Sequence, residues 1–242
     1  MKILNLNIEN STYQDIISKI KESIEHRKKL SFTYVNAYVA LSALKDDSLA
    51  KALNNITALY SDGVGVFWAS KFLYGKSGLQ QRINGTDLYF KILDLAEQQG
   101  YKVFFFGGGE KAVDNLESTL KKKYPRLIIG GIEKRDISFC ELILEKINQS
   151  SSDILFLGLG TPYQEKWISY FGKKCNIPIQ ISVGSGIDFI SGAYKRAPLL
   201  FQKFGLEWLY RLLLEPKRLW KRYILGIPYF FYLVVKQKIS KS

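Results

Sequence analysis

Two short stretches carry the residue types needed for chemistry on a polar molecule. The first is Tyr60-Ser61-Asp62-Gly63-Val64-Gly65-Val66; the second is Gln80-Gln81-Arg82-Ile83-Asn84-Gly85-Thr86-Asp87. The apolar run at 56–60 reads as a buried strand ending in Asp62-Gly63, and a helical pattern follows at 64–73. A carboxylate at the carboxyl end of a strand stands where open α/β sheets place their ligands. Arg82, Asn84 and Asp87 add a cation, an amide and a second carboxylate just before another helix. Together these groups suit the holding of one reacting molecule. Asp-Gly is also an ordinary turn signal, so spacing alone fits Asp62 equally well as a simple N-cap of the following helix.

The rest of the chain must bring these groups together. Strand patterns at 2–6, 30–35, 56–60, 101–106, 127–132, 153–157 and 177–183 are interleaved with helical ones. The helices are expected at 13–28, 37–44, 47–54, 64–73, 110–123, 138–148 and 162–171, with one more from a Thr86 or Asn84 cap to residue 99. The run at 101–106 is apolar without alternation, as in a parallel strand buried on both faces. Strands alternating with helices predict an α/β fold with a doubly wound parallel sheet. Right-handed crossovers then bring the loops after the strands to one edge, gathering Asn36, Asp62, Gly107–Gly109, 158–164 and 184–188.

Three of those loops are glycine-rich: Gly107-Gly108-Gly109, Gly158-Leu159-Gly160-Thr161-Pro162 and Gly184-Ser185-Gly186. None matches Gly-x-Gly-x-x-Gly or a Walker lysine-serine pair. Backbone amides without side chains, set at helix N-termini, still make an anion site suited to a diphosphate. One such loop is most simply a tight turn. Three on one edge favour a phosphate-bearing ligand.

Whole-chain features narrow the classes. At 242 residues and 47% hydrophobic, the chain fits one large domain with an appendage. Two cysteines, Cys140 and Cys175, form no disulfide framework or metal spacing and suit a reducing compartment. The single histidine, His26, lies in a polar helical stretch, which leaves no basis for a histidine-centred triad or metal site. No metal and no cofactor are expected. The N-terminus lacks a secretory leader pattern, and the longest apolar run, 223–235, is broken by Gly226 and Pro228 and falls short of a span. These features predict a cytoplasmic protein, peripheral on the inner face of the cell membrane.

The net charge of +13 is uneven: from Lys195 onward, eleven Lys/Arg against two Glu supply +9. This segment interleaves Leu206, Leu209, Tyr210 and Leu213 with arginines, and Pro216 should end one helix and open another. Aromatics mixed with cations on amphipathic helices suit an anionic membrane surface. No nucleic-acid module is recognisable, so nucleic acid is not an expected partner. A helical tail packed on its own domain is the plainer alternative. The expected division is a core at 1–195 and a membrane-associating appendage at 196–242.

In order, the motifs are Val35-Asn36, Ser61-Asp62-Gly63, Arg82-Ile83-Asn84-Gly85-Thr86-Asp87, Phe106-Gly107-Gly108 and Gly158–Glu165. They continue with Gly184–Asp188, Gly192 with Arg196-Ala197-Pro198, Glu207-Trp208-Leu209-Tyr210-Arg211 and Glu215-Pro216-Lys217-Arg218. In that order and density the chain resembles the WecG/TagA/CpsF family of bacterial glycosyltransferases, from about residue 30 to 223. The resemblance implies a Rossmann-like core, flanking helices and a basic, amphipathic helical C-terminal appendage. It implies inverting, metal-independent transfer of an N-acetylmannosamine-type sugar or related hexose. The donor would be a UDP-sugar and the acceptor an undecaprenyl-diphosphate-linked saccharide, in teichoic acid, capsule or exopolysaccharide synthesis.

The same resemblance implies roles. Asp62 matches the family's general base, which takes a proton from the acceptor hydroxyl. Arg82 matches an arginine that neutralises the leaving UDP, and Gln164 a glutamine hydrogen-bonding sugar or phosphate. Donor and nucleotide binding is assigned to Asn36, Gly107, Gly108, Gly109, Thr161, Glu165, Gly184 and Asp188. Arg211, Arg218 and Arg222 are assigned to the acceptor diphosphate at the membrane, since guanidinium pairs well with phosphate oxygens. One departure is visible. Many members carry threonine two residues before the asparagine of Val35-Asn36, where this chain has Tyr34; Thr33 lies one place earlier, on the opposite side of a strand.

Two readings from other classes remain open at this point. A Rossmann-like sheet also suits a nucleotide-dependent oxidoreductase, although the dinucleotide fingerprint is missing. A non-enzymatic membrane or nucleic-acid adaptor would use the basic tail but leave Asp62, Arg82 and Gln164 without a task. A homo-oligomer is compatible with the sequence and not specified by it.

Overall fold

A computed structural model describes residues 1–138 and 141–240. Phe139 and Cys140, and with them the expected start of a helix at 138, lie outside the described residues. The chain opens with a two-stranded antiparallel hairpin, β1 (Lys2–Ile3) and β2 (Leu6–Asn7), rather than the single strand expected at 2–6. The reason is local: Leu4 adopts φ 53°, which reverses the chain within the apolar run.

The helix α1 (Tyr13–Glu25) begins at a capping box between Thr12 and Asp15 and buries Ile16, Ile20 and Ile24. It stops earlier than expected because Arg27 turns the backbone to φ 52°. Then follow β3 (Leu30–Val35), α2 (Ala37–Ala43), α3 (Asp47–Asn54), β4 (Ala58–Ser61), α4 (Gly63–Tyr74) and α5 (Gly85–Gln99). The next units are β5 (Lys102–Gly107), α6 (Glu110–Lys123), β6 (Ile128–Glu133), α7 (Glu141–Gln149), β7 (Ile154–Gly158), α8 (Tyr163–Phe171), β8 (Ile179–Ser182) and α9 (Gly186–Ile190).

The six strands β3–β8 form one parallel sheet in the order β4-β3-β8-β7-β5-β6. Each inner strand feeds two apolar layers. Phe104 and Phe106 pack with Trp167, Ile168 and Phe171 of α8 on one face, while Val103 and Phe105 pack with α1, α5 and α6 on the other. Burial on both faces explains why these strands lack alternation. The fold is the Rossmann-like α/β arrangement with flanking helices.

Beyond it lie α10 (Leu199–Lys203), α11 (Glu207–Leu214), α12 (Pro216–Trp220), a π-helical turn (Lys221–Leu225) and α13 (Gly226–Ile239). Pro216 occupies the first turn of α12, so it ends α11 and opens its successor as expected. The segment packs on its own domain and also leaves apolar side chains exposed. Phe230 and Val234 of α13 are fully buried in the core layer, against α2 and α4. Elsewhere Leu199, Leu200, Phe204, Leu213 and Leu214 stand more than 60% exposed. No helix among the described residues is long and apolar enough to cross a membrane.

Candidate active site

The carboxyl ends of the parallel strands open into one cleft of about 640 Å³. It is lined from β4 and β3 (Asp62, Tyr34, Asn36), from β8 and β7 (Gly184, Gly158, Thr161, Gln164), and from the loop after β5 (Gly108, Gly109). Asp188 of α9 and three arginines of the C-terminal segment complete the wall. Its size suits a small ligand rather than a macromolecular surface.

Asp62 stands at the N-terminus of α4, yet its side chain makes no capping bond there. Instead Oδ1 accepts a hydrogen bond from the backbone N–H of Gly85 at 3.2 Å. The backbone follows suit, with the Gly63 N–H donating to the Ile83 carbonyl. The two stretches that carry the reactive residue types therefore meet, and the simple N-cap reading of Asp62 does not hold. Asn84, not Thr86, caps α5 by accepting from the N–H groups of Thr86 and Asp87.

Strand alternation separates the neighbours on β3. Tyr34 packs into the α1/α5 layer edge-on to Tyr89. Burial first, then the nearby Tyr89 and Asp62, holds the Tyr34 phenol well above its ordinary pKa. Thr33 points the other way and donates to Glu165 Oε1 at 3.2 Å. Both residues line the strand's mouth, so Tyr34 adds a ring to the cleft without removing the threonine.

The loop after β7 and the start of α8 form a tight polar group. Thr161 Oγ1 donates to Glu165 Oε1 at 3.2 Å, and Gln164 Nε2 does so at 2.9 Å. Gln164 Oε1 accepts from the Gly184 N–H at 2.9 Å, tying this loop to β8. Glu165 is itself fully buried and is absent from the cleft wall. Across the cleft, Asp188 Oδ1 accepts from the Gly109 N–H at 3.1 Å and so shapes the glycine loop. Gly107 lies beneath that loop at φ 117°, where an added Cβ would sit 2.5 Å from the Gly158 backbone; its lack of a side chain lets β5 and β7 close up.

Arg211 on α11, Arg218 on α12 and Arg222 on the π-turn reach the same cleft from above, although Pro216 breaks the helix between the first two. Arg211 lies over the Phe189 ring and Arg222 over the Tyr38 ring at 4.4 Å. Arg218 is ion-paired with Glu215. Burial pulls the Arg222 guanidinium below its ordinary pKa, and its Nε has no hydrogen-bond partner. One junction fastens the start of α11: Arg196 pairs with Asp87 at 2.7 Å and with Glu207 at 3.2 Å, while Asn84 also donates to Glu207.

A family model for glycosyl transferases of the WecG/TagA/CpsF type matches residues 1–242. The chain belongs to this family. It is 30% identical over 241 residues to the N-acetylglucosaminyldiphosphoundecaprenol N-acetyl-beta-D-mannosaminyltransferase of Bacillus subtilis (strain 168), covering 99% of this chain and 93% of the relative. Proteins with the same name from Bacillus spizizenii and Staphylococcus aureus (strain NCTC 8325 / PS 47) are 31% and 29% identical. In each case 99% of this chain is covered, with 92% and 94% of the relatives. Membership makes the chain a glycosyltransferase and displaces the oxidoreductase and adaptor readings.

Three of the family-derived assignments sit differently from expectation. Arg82 does not line the cleft; its Nη2 donates to the Gln202 carbonyl at 3.1 Å, beneath the C-terminal segment. Glu165 and Gly107 lie behind the wall rather than in it. Several wall residues, among them Tyr38, Tyr89, Arg135, Phe189 and Tyr194, were not among the expected site residues. Arg135, on the loop after β6, reaches the cleft over the Tyr163 ring. The signal was available, since that loop follows a parallel strand and must reach the same edge.

Proposed function

We propose that this glycosyltransferase moves an N-acetylmannosamine-type sugar from a UDP-sugar to an N-acetylglucosaminyl-diphosphate-polyprenol, inverting at the anomeric carbon and needing no metal. One observation carries the reading: the Asp62 carboxylate and the guanidiniums of Arg211, Arg218 and Arg222 line one cleft. The relatives' names support the acceptor and the sugar.

In this reading the acceptor hydroxyl attacks the anomeric carbon from the face opposite UDP. Its proton passes to Asp62 as the new C–O bond forms and the bond to UDP breaks. The departing diphosphate gathers charge beside fixed donors, which stabilise the transition state more than the substrate. With Arg82 engaged by Gln202, those donors are Arg211, Arg218 and Arg222 with the amides of Gly108 and Gly109. These three arginines thus serve the leaving diphosphate as well as the acceptor diphosphate at the membrane first assigned to them. Asn36, Thr161, Gln164, Gly184 and Asp188 surround the donor.

The exposed leucines of α10 and α11 and Phe204 between them, interspersed with lysines and arginines, lie against an anionic bilayer that presents the lipid acceptor. The protein then works peripherally on the cytoplasmic face, in assembly of a cell-surface polysaccharide. The test is product formation from a panel of UDP-hexosamines and a short-chain lipid-diphosphate-N-acetylglucosamine, with and without chelator. A β-linked disaccharide formed from UDP-N-acetylmannosamine in chelator is the expected product. Retention of configuration, or no transfer to lipid-diphosphate from any UDP-sugar, overturns the reading.

A further inference from the structure

Glu165 is a carboxylate with 0% exposure inside a site proposed to bind an anion, and the proposed mechanism gives it no task. Burial of a charge is costly unless other groups meet it. Here all the compensation falls on one oxygen. Oε1 accepts from Thr33 Oγ1 on β3, Thr161 Oγ1 on the β7–α8 loop and Gln164 Nε2 on α8, whereas Oε2 has no partner. Each of the three donors also lines the cleft. One buried oxygen therefore collects groups from separate parts of the sheet edge and fixes them from behind.

The consequence is sharpest at Gln164, which is only 5% exposed. A side-chain amide can flip, exchanging its donor and acceptor ends. Here a carboxylate oxygen must accept and a backbone N–H must donate. Gln164 accordingly turns Nε2 to Glu165 and Oε1 to the Gly184 N–H, and the flipped form would break both bonds. What remains for a ligand is one N–H on Nε2 and one lone pair on Oε1, in a set orientation.

We propose that Glu165 is the positioning residue of this site: it touches no substrate, but, braced by the equally buried Thr33 hydroxyl, locks the amide of Gln164 and the hydroxyl of Thr161 in the orientation that receives the sugar nucleotide. This rests on the proposed UDP-sugar reading and gives the Gln164-Glu165 pair its division of labour. It also separates Glu165 from the nucleotide-contacting role that its place in the motif implied.

The test replaces Glu165 by methionine, which fills similar volume without an acceptor, and by glutamine, which keeps the acceptor oxygen. Methionine removes the cost of a buried charge but leaves the Thr33, Thr161 and Gln164 donors to find other acceptors, so the glutamine variant, which keeps one, is the control for folding. Thermal melting of Glu165→Met should stay within a few degrees of wild type, while UDP affinity by calorimetry falls about tenfold. Glu165→Gln should recover most of that loss. In a Gln164→Ala background, Glu165→Met should cost less than about twofold more, because residues acting through one another are not additive. Fully multiplicative losses would overturn the proposal.

A second readout needs no ligand. The Gln164 side-chain NH₂ signals should show slowed exchange in wild type and lose it in Glu165→Met; unchanged signals also overturn the proposal. If wild type itself fails to bind UDP, the donor reading falls, and the amide signals still decide the role of Glu165.

Discussion

The Oδ1 oxygen of Asp62 lies 3.2 Å from the backbone nitrogen of Gly85, a partner 23 residues away and not on the helix that Asp62 precedes. That bond aims the carboxylate across the mouth of β4 and leaves its remaining lone pairs for a substrate. Asparagine keeps the Oδ1 acceptor but cannot take a proton. Asp62→Asn should thus hold the Gly85 contact and UDP affinity while lowering transfer by about 10²–10⁴, the usual worth of a general base. Radiolabelled transfer beside calorimetry measures both, and near-normal turnover removes Asp62 as the base.

Arg196 bridges Asp87 and Glu207, so it fastens the start of α11 to the start of α5. The pairs are partly exposed, and their loss should cost only about 1 kcal/mol of global stability. Its effect on the site should be larger, because α11 carries Arg211. Arg196→Ala is expected to weaken UDP about five- to tenfold, by loss of orientation rather than of contact. Lysine should not rescue it, since a single ammonium lacks the planar fork that meets two carboxylates. Equal UDP affinity in wild type and Arg196→Ala would count against this coupling.

Burial raises the Glu165 carboxyl above the ordinary glutamate range, outweighing the hydrogen bonds from Gln164, Thr161 and Thr33 that lower it. The folded protein then binds this proton more tightly than the unfolded chain. Stability from this group is complete below the unfolded pKa of about 4.3 and is lost as pH rises through the folded value. Melting temperatures of Glu165→Gln should therefore decline less across that window than those of wild type. Parallel curves for the two proteins would refute the assignment.

Leu213 and Leu214 are 68% and 61% exposed on α11. Truncating the chain before α11 is a poor test of membrane docking, because it also removes Phe230 and Val234 from the core. Substituting both leucines by serine leaves the core intact and takes away roughly 1.5 kcal/mol or more of burial apiece. Co-sedimentation with vesicles rich in anionic lipid should fall about tenfold or more, with melting temperature unchanged. Undiminished sedimentation would place the membrane contact elsewhere.

Much of this was legible in the residues. Unbroken apolar runs marked strands buried on both faces, and the rule that loops after parallel strands share an edge placed Asn36, Asp62, Gly108, Gln164 and Asp188 together. What escaped was direction. Arg82 and Asp62 look alike as polar groups near a helix start, but one serves the cleft and the other the Gln202 carbonyl. Nothing local in Arg82-Ile83-Asn84 encodes the approach of a segment 120 residues later. The resemblance assigns both Gln164 and Glu165 to ligand binding, but only Gln164 lines the cleft. The turn of a helix between adjacent positions puts the first in the wall and the second behind it.

The β1–β2 hairpin is fastened by a residue made long after it. Gln237 accepts from the Leu4 N–H and donates to the Lys2 carbonyl, 235 residues apart in the second case. During synthesis the hairpin leaves the ribosome early and cannot gain this clasp until α13 emerges. Ile3, Leu6 and Ile8 share one apolar layer with Phe230 and Val234, so that layer stays open for the same interval. The order of translation is thus the reverse of the order of completion: the earliest element is sealed by the helix that also anchors the arginine-bearing segment over the cleft. A nascent chain stalled before α13 would expose the apolar side of its own beginning to chaperones, and the finished protein would not.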